Sequence, residues 1–259
     1  MKAIVFDIRL NSLYSIRVPF TWQSALTYPI LPPSGVIGMI ANALQRFKND
    51  NHPIQYLIKV EDNVVWAGSR LLTPCVIKSY TTSAIVKWED KLGGKFTNAL
   101  GRQFSYSKNL QVLVIFKDNL LVAEISEAIK STPLTCGDSE SPISIETEVE
   151  ITDAKVGDKT NGIRTDFPIP FSKKINIEGT GRLYLAHERC MKREDSLPLK
   201  SYLFPIKENK GILEPSCFII NSLDDDFKVI DVDDVGQIVL EERKDKPEKE
   251  NKRKSRKKK

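Results

Sequence analysis

The sequence predicts an α+β fold, because strand-like and helix-like patterns alternate through its first part. Residues 2–10 and 110–116 are typical of strands, and the near-continuous apolar character of the second indicates burial on both faces. Residues 36–44 and 121–130 instead place apolar side chains three and four positions apart, as helices do. A chain of 259 residues is long enough for one large or two small domains.

The first predicted helix begins in an unusual way, with the stretch TYPILPPSGVIG over residues 27–38. Its prolines keep the backbone before the helix extended. Ser34 occupies the position of an N-cap before the apolar run. Gly35 and Gly38 fall in the first turn, where a glycine costs about 1 kcal/mol relative to alanine. Such glycines indicate a close backbone approach, either to a neighbouring element or to a ligand phosphate.

The remaining patterns complete a recognisable order. Short β-like runs follow the first helix at residues 54–60 and 64–73. In residues 143–151 apolar and polar side chains alternate, as in a strand with one solvent-exposed face. The order is the βαββαβ plan of a ferredoxin-like domain, with an insertion before the third strand. RNA-recognition modules share this plan, although a fold by itself does not establish a function.

The insertion, at about residues 78–108, predicts a protruding β-hairpin or long β-loop that turns at Gly93 and Gly94. It interleaves basic and aromatic side chains, the combination that follows a single-stranded backbone and stacks on its bases. A solvated hairpin whose lysines only aid solubility is the alternative. The insertion residues considered for RNA contact are Lys78, Tyr80, Lys87, Trp88, Lys91, Lys95, Phe96 and Arg102.

Charge divides the chain into a basic part, an acidic part and a basic end. Residues 1–120 hold 14 Lys+Arg against 7 Asp+Glu, residues 121–240 hold 14 against 22, and residues 241–259 hold 11 against 5. The excess of basic residues in positions 1–120 suggests a polyanionic partner for this part of the chain. The alternative is that the charges are distributed by chance.

Three regions are expected along the chain. Residues 1–152 form the ferredoxin-like domain with its insertion, and residues 153–240 form a small β-rich C-terminal lobe. Residues 241–259 are too polar to bury a core, so they predict a disordered basic tail that adds salt-sensitive affinity for nucleic acid.

Several classes of protein are not expected. No apolar run reaches the roughly 18 residues of a membrane span, and the N-terminus does not resemble a signal peptide, so we expect a cytoplasmic protein. The four cysteines are widely spaced and form no CxxC pair, which argues against a zinc site. We expect no metal and no cofactor.

The N-terminal residues resemble the signature of a known family. Ile16 to Pro19 and the stretch from Thr27 to Asn42 match most of a pattern that is roughly F-R-x-P and then T-Y-P-x-P-P-S-x-x-x-G-x-x-x-A, with Ile16 in place of the aromatic residue. This pattern is similar to that of the CRISPR-associated Cas-five family of the RAMP superfamily, a subunit of type I surveillance complexes. The close match covers about 45 residues. Chain length and the divergent second lobe resemble the archaeal subtype I-A or I-B branch.

The resemblance implies a role in antiviral defence. Such a subunit caps one end of a crRNA filament in a Cascade complex, binds the repeat-derived 5′ handle and contacts the first Cas-seven backbone subunit. Other Cascade subunits, and target DNA reached through the complex, are further implied partners. The inserted hairpin would be the thumb that kinks the guide strand. Arg17, Ser34 and the backbone near Gly35 and Gly38 would meet handle phosphates at the helix start.

One branch of this family is a crRNA-processing endoribonuclease, which needs a base, commonly histidine, and groups that stabilise charge on the phosphate. This chain has only His52 and His187, and it shows no catalytic triad, metal motif or phosphate loop. We therefore expect a non-catalytic RNA-binding subunit. A metal-independent processing ribonuclease of the same fold and a general basic RNA-binding protein are the alternatives.

Charge reversal at Lys87, Lys91 and Lys95 is expected to weaken crRNA binding and its dependence on salt, because lysines at phosphates release condensed counterions when they bind. Titration of labelled crRNA over a series of salt concentrations measures both quantities. Unchanged affinity would discard the thumb assignment.

Overall fold

A computed structural model describes the chain at residues 1–21, 24–49, 53–89, 94–117, 119–137, 141–159, 162–190 and 199–242, with the backbone alone described between residues 82 and 100. The helices of these ranges are α1 (Pro33–Lys48), α2 (Pro53–Asn63) and α3 (Leu120–Ser131). None of them combines the length and the apolar character needed to span a bilayer.

Strands make up most of the described structure. Those of the first part are β1 (Lys2–Leu10), β2 (Ser24–Ala25), β3 (Val64–Leu71), β4 (Cys75–Glu89), β5 (Gly94–Ser107), β6 (Asn109–Phe116), β7 (Leu134–Thr135), β8 (Pro142–Ile145) and β9 (Glu150–Val156). Those of the second part are β10 (Ile163–Thr165), β11 (Ile169–Pro170), β12 (Asn176–Glu178), β13 (Arg182–His187), β14 (Leu199–Phe204), β15 (Ile206–Asn209), β16 (Ile212–Pro215), β17 (Phe218–Ser222), β18 (Phe227–Val232) and β19 (Gly236–Glu241).

The largest sheet is built around β1. The strand β6 pairs antiparallel with one edge of β1, and β3 pairs with the far edge of β6. The other edge of β1 pairs first with β9 and then with β8, while β18 and β19 extend the sheet beyond β9. The resulting order is β19–β18–β9–β1–β6–β3, so strands from both halves of the chain share one sheet.

One face of this sheet carries the main core. Ile4, Phe6 and Val114 alternate onto it and are at most 1% exposed. The apolar sides of α1 and α3, including Ile40 and Ile125, cover these side chains. The period of two along the strands and the period of 3.6 along the helices therefore bring both apolar patterns into one core.

The opposite face is covered by the second half of the chain. Val5 and Ile115 on this face are buried with Phe167 and Ile230. The sheet is therefore protected on both sides, which explains the near-continuous apolar character of β6.

A close approach holds Trp66 in this second core. Its indole meets the ring of Phe167 edge-on, with 5.5 Å between centroids. A Cβ atom at Gly68, two residues along the same strand, would lie 2.6 Å from the indole. Glycine is therefore needed there to make room for the tryptophan.

The α+β prediction is confirmed, but residues 54–60, predicted as a short strand, form most of α2. Leu57 packs against the main core, and Val60 and Glu61 are buried. Their spacing of three and four residues matches a helix, and this tertiary contact outweighs the local β-like composition.

Residues 143–151, predicted as one strand, form β8 and β9 with a break between them. The backbone of Asp7 accepts a hydrogen bond from the N–H of Glu146 at 2.9 Å and donates to the hydroxyl of Thr147 at 3.0 Å. These bonds interrupt the ladder, so the two pieces pair with different parts of β1.

Strand pairing crosses the predicted boundary between residues 152 and 153. The strand β9 spans it, and β18 pairs with β9 in the same sheet. Within the described part of residues 153–240 the regular elements are strands and no helix occurs. The division into two regions stays a prediction, and the predicted tail lies outside the described residues from residue 243 onward.

A buried connecting segment, residues 27–33, joins the N-terminal strand region to α1. The hydroxyl of Thr27 accepts a hydrogen bond from the N–H of Ile16 at 3.0 Å. Its own N–H donates to the side-chain oxygen of Gln103 at 3.3 Å. These bonds connect the segment to the preceding chain and to β5.

Tyr28 connects the same segment to the second half of the chain. Its ring centroid lies 5.7 Å from that of Tyr184 and 6.1 Å from that of Phe204. Its hydroxyl donates a hydrogen bond to the carbonyl of Leu185. Burial raises the pKa of this hydroxyl, so it stays protonated as a donor at neutral pH.

Ser69→Ala is expected to lower the free energy of unfolding by about 1–3 kcal/mol. The buried hydroxyl accepts from the N–H of Leu31 at 2.9 Å and donates to its carbonyl at 3.2 Å, so its loss leaves both backbone groups without a partner. Urea unfolding followed by circular dichroism measures the change. Ser131→Ala, which removes an exposed hydroxyl on α3, is the control and should change stability by less than about 0.5 kcal/mol. Equal stability of the two variants would contradict this role.

Candidate nucleic-acid interface

The paired strands β4 and β5 form the predicted hairpin, and its base is anchored along both edges. On one edge, Cys75 and Val76 pair with β16. On the other edge, Gly101 and Arg102 pair in parallel with β2. Because both edges are occupied, the base is a rigid part of a five-stranded sheet.

The inner face of the hairpin base is buried against the protein. Cys75, Ser105 and Ser107 on this face are fully buried. The hydroxyl of Ser107 donates to the carbonyl of Thr73 at 3.0 Å, and the thiol of Cys75 lies 3.0 Å from the hydroxyl of Ser105. Burial raises the pKa of the Cys75 thiol, which therefore stays protonated. This face serves to hold the hairpin in place.

The outer face carries aromatic and basic side chains. The register sets Lys78 opposite Phe104, Tyr80 opposite Arg102 and Val76 opposite Tyr106, and directly opposed residues of an antiparallel pair share one face. We call five of these residues the hairpin strip: Lys78, Tyr80, Arg102, Phe104 and Tyr106.

The side chains of the hairpin strip contact one another. The rings of Tyr80 and Phe104 meet edge-on at 5.7 Å between centroids. The guanidinium of Arg102 lies over the ring of Phe104, 4.9 Å from its centroid. Tyr80 and Tyr106 are 48% and 42% exposed, so ring surface remains open to solvent.

This arrangement suits a single-stranded polyanion. Aromatic rings on a strand stack on bases regardless of sequence, and neighbouring cations attract the phosphates between those bases. The contact of Arg102 with Phe104 orders the guanidinium before any ligand binds, which lowers the entropy cost of using it.

The predicted insertion residues are only partly described. Lys78, Tyr80 and Arg102 come together on the outer face. Further out, the backbone pairs Lys87 with Phe96 and Trp88 with Lys95, but their side chains lie outside the described part, as does the whole of Lys91. Their roles stay predictions.

Phe104 and Tyr106 belong to the strip, although the sequence analysis did not select them. The signal that identifies them is the alternation of Arg102, Phe104 and Tyr106 along β5, which places all three on one face. The alternation became interpretable only once the register with β4 was known.

Arg17 lies elsewhere, in the chain between β1 and β2. Its Nε donates to the hydroxyl of Thr21 at 3.3 Å, and its guanidinium also donates to the Thr21 carbonyl. The side chain is exposed and has further donors available. Among the described contacts, none joins Arg17 to Ser34, and their shared role at a handle phosphate stays a prediction.

The start of α1 corrects the prediction for Ser34. The helix begins at Pro33, its N-cap is Pro32, and no side chain caps it. Ser34 therefore lies inside the first turn. The early start follows from Pro33, whose fixed φ and missing N–H suit the first helical position.

The two glycines of α1 differ in their surroundings. A Cβ atom at Gly35 would lie 3.2 Å from the Cδ of Pro32 and 3.5 Å from Ile16, a close approach within the protein. At Gly38 nothing lies within 4 Å of that position, so close approach does not explain this glycine. The structure provides no physical reason for glycine at that position.

The helix start is also covered from the second half of the chain. The thiol of Cys190 donates to the carbonyl of Ser34 at 3.1 Å, and the N–H of Cys190 donates to the carboxylate of Glu61 at 3.2 Å. These bonds attach Cys190 to the first turn of α1 and to α2, and the phosphate contact at the helix start stays a prediction.

The face of the main sheet opposite the helices is not available either. RNA-recognition modules stack bases on the exposed face of their sheet. Here the corresponding residues, such as Val5 and Ile115, are buried under Phe167 and Ile230. The hairpin strip, in contrast, combines exposed rings with cations.

His187 does not form part of this interface. His187 is on β13, opposite Leu199, and its Nδ1 is buried without a hydrogen-bond partner. His52 lies outside the described residues. Within the described ranges, no group of three His, Cys, Asp or Glu residues is placed to hold a metal ion.

No protein-family model and no curated protein matches the sequence. The structure, in contrast, matches a crystal structure of a CRISPR protein from Archaeoglobus fulgidus. The TM-score is 0.62 over 93% of this chain and 99% of that one, at 12% sequence identity. The chain has the fold of a CRISPR protein. The resemblance predicted from the N-terminal residues is thus confirmed at the level of the CRISPR-associated fold.

Two other CRISPR structures resemble the chain less strongly. A chain of a CRISPR RNA-guided surveillance complex aligns at a TM-score of 0.45 and 13% identity, over 83% of this chain and 91% of its own. A chain of the type III-B Cmr-beta complex, bound to cognate target RNA and AMPPnP, aligns at 0.47 and 10% identity, over 85% and 86%. These scores are too low to support an argument about fold or function.

The thiol of Cys190 is expected to react slowly with iodoacetamide at pH 8. Its burial, together with the negative charge of Glu61, raises its pKa to about 11, so little reactive thiolate is present. Alkylation of the Cys190 peptide, followed by mass spectrometry, should be at least about ten-fold slower than that of N-acetylcysteine. The rate should still be rising at pH 10, where the free thiol has levelled off. Equal rates at pH 8 would show that the cover over Ser34 opens.

Proposed function

We propose that this chain is a non-catalytic, RNA-binding subunit of a type I CRISPR surveillance complex. In this proposal it belongs to the Cas-five family of the RAMP superfamily, binds the 5′ handle of crRNA and caps the Cas-seven backbone. The observation that carries the proposal is the hairpin strip, an exposed set of rings and cations on a rigid base.

The order of elements supports the ferredoxin-like part of the proposal. Within the main sheet, β9, β1, β6 and β3 are neighbours in that order. Along the chain, β1 is the first of these strands, β3 the second, β6 the third and β9 the fourth. Across the sheet their order is therefore four, one, three, two. The helix α1 connects the first to the second and α3 the third to the fourth, which is the βαββαβ plan.

The place of the hairpin supports a thumb. The strands β4 and β5 are inserted between β3 and β6, the position that the resemblance assigns to the thumb. Their base is anchored on both edges and their outer face is open, so a strand of RNA held there would meet a fixed surface. Preorganised rings and cations bind a flexible strand without an added ordering cost on the protein side.

The N-terminal signature has a structural basis that is separate from RNA contact. Thr27 is buried with its hydrogen bonds satisfied inside the protein, and Tyr28 is buried between Tyr184 and Phe204. These residues position the hairpin base through Gln103. In the proposed subunit they maintain the fold around the interface, while the strip binds the RNA.

We also propose that the chain binds RNA without cutting it. His187 lies on β13, away from the hairpin strip in sequence and sheet, and its Nδ1 has no described partner that would orient it as a base. Incubation with labelled repeat RNA tests this point. A discrete cut that disappears in His52→Ala or His187→Ala would assign the chain to the processing branch instead.

Single substitutions in the strip are expected to separate its two kinds of contact. Lys78→Ala and Arg102→Ala should each weaken binding of single-stranded RNA and lower the salt dependence, by about 0.7 in the slope of log K against log salt. Tyr80→Ala should weaken binding about five-fold or more while leaving that slope unchanged, because stacking is not a counterion effect. Fluorescence anisotropy with a labelled repeat RNA at several salt concentrations measures both.

Lys130→Ala is the matched control, since Lys130 is an exposed lysine in the last turn of α3. It should change neither affinity nor slope beyond the effect of one remote charge. If the strip variants behave as this control does, the proposed interface is wrong.

Removal of residues 243–259, which leaves β19 and its pairing with β18 intact, tests the alternative of a general basic RNA-binding protein. Specific binding of a handle-bearing RNA should survive the deletion, while non-specific binding to unrelated RNA should fall. Co-purification with a Cas-seven subunit and an RNA of defined 5′ end would support the proposed partners. Loss of all RNA binding with the tail would favour the alternative.

A further inference from the structure

We infer that the turn from Val18 to Thr21 presents Phe20 as a stacking platform for an unpaired base of single-stranded RNA. The platform lies at the edge of the hairpin base and extends the surface of the hairpin strip. This inference rests on the proposed function and adds to it a site that neither the sequence motif nor the hairpin register identifies.

Phe20 is exposed and its backbone is strained. Its side chain is 85% exposed, and its φ is 60°. A positive φ is a genuine outlier for a bulky side chain and carries a cost of about 1–3 kcal/mol. Exposing a phenyl ring to water forgoes in addition the free energy that its burial would supply. Contacts within the described protein do not offset either cost, which points to a ligand for the ring.

The turn around Phe20 is held in place on both sides. The guanidinium and Nε of Arg17 donate to the carbonyl and hydroxyl of Thr21, and the Thr21 hydroxyl donates to the carbonyl of Val18 at 3.0 Å. At its root, the N–H of Val18 donates to the carbonyl of Leu26 at 2.9 Å. The ring is therefore displayed by a bonded loop with a defined position.

The loop is attached to the hairpin base. Its returning arm contains β2, which pairs with β5 through Ser24 to Gly101 and Ala25 to Arg102. Arg102 belongs to the hairpin strip, so Phe20 precedes by four residues a strand that is hydrogen-bonded to the strip. The inferred path of the RNA continues from the strip towards this loop, because β2 attaches the loop to the strand that carries Arg102.

The chemistry of the loop fits an unpaired nucleotide. The phenyl ring offers one face to any base, and Arg17 keeps donors available beside it for a phosphate or sugar oxygen. A base in a duplex is already stacked on both sides, so the site is expected to select single strands. Stacking of this kind does not depend on the identity of the base.

Two substitutions distinguish stacking from simple apolar contact. Phe20→Leu keeps apolar bulk and removes the ring, while Phe20→Tyr keeps the ring. The probes are a fluorescein-labelled single-stranded RNA of about 20 nucleotides and an abasic RNA of the same length, which has the phosphates without the bases. Phe20→Leu is expected to bind the base-bearing RNA about five-fold or more weakly, and Phe20→Tyr to bind it as the original protein does.

The abasic RNA and a matched aromatic residue provide the controls. All variants should bind the abasic RNA equally. Phe171→Leu, which removes a 46% exposed ring after β11, should have no effect on either probe. Circular dichroism melting of each variant establishes that the fold is retained.

Each outcome bears on one of the two proposals. If Tyr80→Ala weakens binding and Phe20→Leu does not, the Phe20 inference is overturned and the proposed function stands. Equal losses for Phe20→Leu on both RNAs would also overturn the inference, since no base would be involved. If the unaltered chain binds neither probe, the proposed function fails, and the inference fails with it.

Discussion

The proposed interface depends on the buried connecting segment at residues 27–33. Its backbone and side chains bond to three parts of the protein: to β5 through Thr27, to β13 through Tyr28 and to β3 through Leu31. These parts come from distant positions in the chain, so the segment joins the hairpin base to β3 and to β13. Since unpaired polar groups in this interior would be costly, each bond restricts the others.

This constraint separates the support of the hairpin from its outer surface. The inner face of the base has small, buried, hydrogen-bonded side chains such as Ser105 and Ser107, while the outer face has open rings and cations. Successive side chains along β4 and β5 point to opposite faces, so one pair of strands can be buried on its inner face and open to a ligand on its outer face. The buried contacts carry the stability, so the outer residues are under little structural constraint and are available for binding.

Prediction from sequence succeeded where a pattern was local and long. The strand at residues 110–116 and the helix at 121–130 have periodicity that does not depend on the rest of the chain. The local composition of the insertion likewise predicted the pairing of β4 with β5. It failed at α2, where residues 54–60 have mixed composition and only packing of Leu57 and Val60 decides for a helix. It also failed at Ser34, because a serine after two prolines satisfies the pattern of a cap without being in the capping position.

The sequence by itself determined the α+β class, the position of the inserted hairpin and the likeness to CRISPR-associated proteins, because these rest on periodicity and on one contiguous motif. Only the tertiary structure decided which side chains form the proposed interface. Phe104 and Tyr106 join Tyr80 through cross-strand register, and the parallel pairing of β2 with β5 attaches the loop that carries Phe20 to the hairpin base. Register and pairing arise from contacts between distant residues, and a linear pattern does not contain them.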